Sequence, residues 1–137
     1  MRHGLHAIAI ATLIALGGCE NHPFHDLPPE TGPLVEGKAL WNMLAGSTVT
    51  SDPDLVPPLV VYFAVGGEMR GMHSNHYRDV GTWKVEEGRL CGNWENWWGT
   101  LNRCWEVYRS GERLTLVRPD DGREAMGILV PGNIRNL

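Results

Sequence analysis

Residues Arg89 to Tyr108 read RLCGNWENWWGTLNRCWEVY, and this stretch decides the fold. It holds two of the three cysteines and four of the six tryptophans of the 137-residue chain, so both the cross-link and the aromatic mass concentrate here. Cys91 and Cys104 lie at equal distances from a centre between Trp97 and Trp98. Residues that face each other across an antiparallel pair have a constant index sum, so the symmetry predicts a β-hairpin closed by a cross-strand disulfide. Alternation agrees. With Leu90, Trp105 and Val107 turned toward a core, Cys91 and Cys104 both fall on the outer face. A one-residue slip would send the sulfurs to opposite faces, so the bond also fixes register. Closing a loop of this size contributes about 3 kcal/mol by chain entropy. The alternative is a pair of reduced cysteines buried as small hydrophobes.

The N-terminus argues against that alternative. It reads MRHGLHAIAIATLIALGGC, with Arg2 as a short positive region and an apolar run from Ala7 to Leu16 broken only by Thr12. The run is too short to span a bilayer and suits the core of a signal peptide over residues 1–18. Leu16-Gly17-Gly18-Cys19 resembles the bacterial lipobox, in which small residues precede the cysteine that receives diacylglycerol. The cysteine count fits: three cysteines leave one over after the Cys91–Cys104 pair, and it is Cys19. Several acyl chains anchor stably where one alone does not. Glu20, rather than an Asp, follows the cysteine, which favours the outer over the inner membrane. Export also places Cys91 and Cys104 in an oxidising compartment. Removing residues 1–18 takes away Arg2 and no acid, leaving 11 basic against 16 acidic residues, a net charge of −5. That balance argues against nucleic acid and anionic lipid surfaces as electrostatic partners.

Residues 19–33 carry four prolines and few apolar side chains, and they read as the lipidated cysteine plus a flexible tether. His22 and His25 lie in it, where a mobile chain cannot preorganise metal ligands. The remaining domain spans residues 34–137. Between Leu34 and Ala45, the spacing of Leu40, Trp41, Leu44 and Ala45 predicts one short helix ended by Gly46, with Gly37 as a weak point, packed as a lid. From Ser47 onward the pattern is β. Strands are expected at Ser47–Ser51, Leu59–Val65, Glu68–His73, Val80–Glu86, on both arms of the disulfide hairpin, at Arg113–Arg118 and at Glu124–Val130. Gly66-Gly67, Glu87-Gly88, Ser110-Gly111 and Asp120-Asp121-Gly122 turn between them. About eight short strands over roughly a hundred residues predict an all-β domain with one N-terminal helix, an up-and-down antiparallel meander closing into a small barrel.

Several pieces of this pattern resemble a family of small exported proteobacterial proteins of unknown function with a lipocalin-like barrel. They are Leu44-Ala45-Gly46-Ser47-Thr48, Tyr62-Phe63 with Gly67 and Gly71, Gly81-Thr82-Trp83, Leu90-Cys91, Cys104, Gly111 and Pro131-Gly132-Asn133. They span residues 40 to 133. Ser47 stands where that family more often has Asn, and WENWWGTLN is richer in tryptophan than the family pattern. The resemblance implies the barrel and export. It implies no reaction, because the family has no established activity.

The chain carries no HExxH, GxSxG, CxxC or phosphate-binding glycine loop, so no catalytic residue and no cofactor is expected. Ser74, His76 and Asp79 have the residue types of a hydrolytic triad, but neighbours in one loop seldom line up. His73 and His76, with Asp79, are the best metal candidates, and solvent-exposed histidines are the commoner explanation. Trp97 and Trp98 stand at the hairpin tip. They either present a surface to an envelope partner or fold back to plug the barrel end. The inward set Leu59, Val61, Phe63, Trp83, Val85, Leu90, Trp105, Val107, Leu114 and Leu116 is bulky, so a mostly filled barrel is expected, with any small apolar ligand at the mouth near Leu40–Ala45. The expected protein is a lipid-anchored, non-enzymatic envelope protein that binds an envelope partner or a small apolar ligand. The other two possibilities are an inhibitor of a cell-wall hydrolase and a His-based metal protein. Cys19→Ser should release the protein from membranes or leave it unprocessed. Normal processing with unchanged membrane partitioning would remove the lipid anchor from the account.

Overall fold

The computed structural model describes residues 27–51, 59–74 and 76–137, so Cys19, His22 and His25 lie outside the described residues. In chain order the elements are β1 (Leu34–Val35), α1 (Gly37–Leu44), β2 (Ser47–Ser51), β3 (Leu59–Phe63), β4 (Glu68–His73), β5 (Tyr77–Glu86), β6 (Arg89–Trp94), β7 (Arg103–Ser110), β8 (Arg113–Val117) and β9 (Glu124–Pro131). Short 3₁₀ turns occur at Pro29–Thr31 and Trp97–Thr100. Strands β2 to β9 pair antiparallel, each with the next, and β9 returns to β2. The result is the expected closed eight-stranded barrel with one short helix. Among the described residues no helix is long and apolar enough to cross a membrane.

The hairpin reading of the disulfide stretch holds in register. Leu90 faces Trp105, Cys91 faces Cys104 and Gly92 faces Arg103, and the two sulfurs are bonded. The preceding turn is as tight as its residues require. Glu86 faces Arg89, so Glu87 and Gly88 form a two-residue loop, both with positive φ (49° and 78°). That backbone has the twist an antiparallel hairpin favours.

The helix is shorter than its apolar pattern suggested. Gly37 is its first residue rather than an interior weak point, and Leu34–Val35 form a ninth strand. In β1, Leu34 faces Tyr108 and Val35 faces Val107, while β8 occupies the other side of that half of β7. β1 therefore continues the line of β6 along β7. The end of the expected tether is also part of the domain. Thr31 is buried, and the Arg109 backbone N–H donates to the Pro33 carbonyl at 3.0 Å. Gly32 has φ +79°, and a Cβ there would stand 2.0 Å from the Arg109 carbonyl oxygen, so only glycine fits this approach.

α1 closes one end of the barrel. Leu40 and Leu44, one turn apart, are fully buried among Phe63, Met69, Trp83, Leu90 and Val107. Trp41 stacks on Trp83 at 4.4 Å, Phe63 meets Trp83 edge-on at 5.3 Å, and the Trp83 indole N–H donates to the Ala64 carbonyl at 2.9 Å. The polar tip of the indole is thus satisfied inside an apolar core. The short tail expected after Pro131 does more than end a strand. Leu137 packs outside the barrel on Val60, Met72 and Tyr62, and Asn133 brackets its backbone with two hydrogen bonds.

Cys91→Ala with Cys104→Ala should lower stability by about 3 kcal/mol, the chain-entropy value for a loop of this size. Urea unfolding of the two proteins tests this. A midpoint identical to the parent's would show that the bond contributes nothing beyond β6–β7 pairing.

Candidate functional site

The barrel is filled over much of its interior, and one part stays open. An apolar cavity of about 300 Å³ runs from Leu44 on the helix, between Phe63, Leu90, Val107 and Leu114, to Ser51, Leu59 and Glu124 at the other end of the strands. The reason is placement rather than composition. Trp83, Phe63 and Met69 crowd together in the buried core with Leu40 and Leu44 of α1. The β2 and β9 walls of the cavity carry Val49, Ala125 and Gly127 instead. Gly127 lies so close to Val49 that a Cβ would stand 2.6 Å from its methyl. Trp105, counted among the bulky fillers, is half-buried on the inner face, with the Arg118 guanidinium 5.8 Å from its ring centroid. On the helix expected at the ligand mouth, Leu40 and Leu44 are buried and Leu44 lines the cavity.

The far end carries the tryptophans. Trp94, Trp97 and Trp98 form one cluster, with ring centroids 4.8, 5.9 and 5.5 Å apart pairwise. Trp94 and Trp97 fold inward over Gly71, where a Cβ would come within 2.6 and 2.5 Å of the two rings. Trp98 remains 50% exposed. The two open alternatives for the hairpin tip are therefore divided between the two residues. Trp98 also has φ +51°, a left-handed backbone costing a non-glycine residue roughly 1–2 kcal/mol. Tyr77, at the start of β5, and Leu101, just before β7, are exposed at the same end.

Asp79 holds this arrangement. It was expected in the Ser74–Arg78 neighbourhood as a loop residue, but β5 starts at Tyr77, so strand alternation turns Asp79 inward with Gly81 and Trp83. It is buried, and its carboxylate accepts hydrogen bonds from the Asn96 backbone N–H, the Asn96 amide and the Trp97 backbone N–H, each at 2.9 Å. Burial alone would push this carboxyl up. The Asn96 amide and the backbone N–H groups of Asn96, Trp97 and Val80 outweigh it and hold the group below the usual carboxylate range.

The candidate histidines are not gathered with it. His73 Nδ1 lies 3.1 Å from the Ser74 hydroxyl, and exposed His76 packs on the Tyr77 ring at 4.4 Å. Asp79 accepts from Asn96 and Trp97, and among the described residues His73, His76 and Asp79 do not come together as a group of potential metal ligands. Among the described residues, the three potential metal ligands that do come together are Glu86, Cys91 and Cys104, and those two sulfurs are bonded to each other. A further residue passed over in the sequence is Arg103. It faces Gly92 on the inner side of β7, and among the described residues its buried Nε has no hydrogen-bond partner.

Compared with protein-family models, curated proteins and solved structures, the chain matches none.

Asp79→Ala should destabilise the domain by about 1–3 kcal/mol, because it leaves buried N–H groups without an acceptor. The folded-state value is depressed, so the carboxylate's contribution is complete above the unfolded pKa near 3.9 and is lost as pH falls through the lower folded value. Tryptophan fluorescence followed during acid titration should show this step in the parent and not in Asp79→Asn. The same step in both proteins would assign it to another group.

Proposed function

We propose that this protein is a lipid-anchored, non-enzymatic component of a bacterial cell envelope whose barrel holds a small apolar ligand. The observation that carries the reading is the cavity between α1 and the far end of the barrel. Its volume of about 300 Å³ is at the lower end of the range for ligand pockets. An apolar cavity of about 150 Å³ already takes up benzene. Leu44, Val61, Phe63, Leu90, Val107 and Leu114 line it, and Ser51 and Glu124 add polar atoms toward the far end. The anchor is Cys19 within the lipobox-like sequence, and the proposed location is a membrane facing the periplasm, with the outer membrane favoured by Glu20. In the same reading the chain is a member of the exported lipocalin-like family it resembles.

A second reading is supported by the exposure of Trp98 beside Tyr77 and Leu101. Here the far end contacts an envelope protein, such as a cell-wall hydrolase held inactive, and the aromatic rings form the anchor of the interface. The two readings use different parts of the molecule and separate experimentally.

Native mass spectrometry of the protein extracted from membranes should show a bound small molecule that Val61→Phe, which fills the cavity, excludes. Trp98→Ser should leave that molecule in place. A parent that carries no ligand and takes up no apolar probe would overturn the cavity reading. Loss of a co-purifying protein in Trp98→Ser alone would support the second.

A further inference from the structure

We infer that the ligand is a single-chain amphiphile with an anionic head, and that Arg103 receives the head. This rests on the cavity reading above and specifies the chemical class it admits. Along β7 the inward positions run Val107, Trp105, Arg103. Val107 walls the cavity, and Arg103 lies two inward steps further, about 13 Å at 3.3 Å per residue. An extended chain rooted among Leu90, Val107 and Leu114 would therefore bring its head toward the guanidinium.

Arg103 needs such a partner. Its Nε is buried without an acceptor, and no described residue forms an ion pair with it. The residue as a whole is half-buried, and an orphaned buried donor on it calls for a missing acceptor. The contrast with nearby arginines is specific. Arg118, over Trp105, is paired with Asp120 and Asp121, each at 3.2 Å. Arg89 is paired with Glu106 at 3.4 Å. The buried acid of this end, Asp79, is taken up by Asn96 and Trp97. Glu124 lines the cavity on β9, so it disfavours an anion on its own wall and leaves the β7 side for the head.

The guanidinium fork matches a carboxylate or phosphate in two parallel hydrogen bonds. An apolar cavity with one unpaired guanidinium beyond it selects a molecule with a hydrocarbon tail and one anionic end. A neutral hydrocarbon would leave Arg103 unpaired, and a small free anion would leave the cavity empty.

Calorimetric titration of the full lipidated protein in amphipol, with decanoate and with decanol, tests the assignment. The parent should bind decanoate at least ten-fold more tightly than decanol. Arg103→Met should bind both equally, with the decanol affinity of the parent. Arg103→Lys keeps the charge but not the fork, and it should retain part of the preference. Decanoate should raise the melting temperature of the parent and not that of Arg103→Met. If decanol binds and decanoate binds no better, or if the preference survives in Arg103→Met, the role of Arg103 is wrong and the cavity reading stands. If neither compound binds the parent, the cavity reading fails and takes this inference with it.

Discussion

Closure of the ring by β9 on β2 is the constraint on which the rest depends. Five consecutive pairs, from Ser47 opposite Pro131 to Ser51 opposite Gly127, convert an open meander into a barrel. Closure leaves no free edge among β2 to β9 and gives every strand a defined inner face. It also sets the radius of that face, so the interior cannot contract to suit the side chains supplied. Where β9 and β2 contribute Gly127, Ala125 and Val49, the space stays open. Where β3, β4 and β5 contribute Phe63, Met69 and Trp83, helix α1 packs Leu40 and Leu44 onto them and seals the end.

The far end is arranged on different terms. Its order comes from polar contacts inside the ring together with the tryptophan cluster. One buried carboxylate takes up the N–H groups at the start of the Trp97–Thr100 turn. With those donors satisfied, the turn can carry two adjacent tryptophans in opposite senses, one pressed on Gly71 and one in solvent. The positive φ at Trp98 is a local cost that the neighbouring packing and the Asp79 contacts offset.

Much of this was legible in the residues. The constant index sum of Cys91 and Cys104 read the β6–β7 register, and Glu87-Gly88 read the turn before it. Trp83 and its apolar neighbours marked the core. What escaped falls into three kinds. β1 has only two residues, too few for any periodicity to register, and it exists because β7 has an unpaired half to offer. The cavity depends on where around the ring each residue falls, and a summed side-chain volume holds no such information. Asp79 and Arg103 are a third case, because their signal was present. Alternation carried back from Trp83 places Asp79 inward, and alternation carried back from Val107 does the same for Arg103. A charged residue at a core-facing position is the informative exception.

Tension entering the domain from its N-terminal side would act on the contacts of Thr31 to Pro33 and then on β1. Two residue pairs and the hydrogen bond to the Pro33 carbonyl hold that strand to β7, whereas the ring strands share longer ladders. β1 is followed directly by α1, so a pull that peels β1 away is transmitted next to the stacked Trp41 and Trp83 rings. The shortest ladder therefore lies between the leading segment and α1, ahead of the longer ladders of the ring.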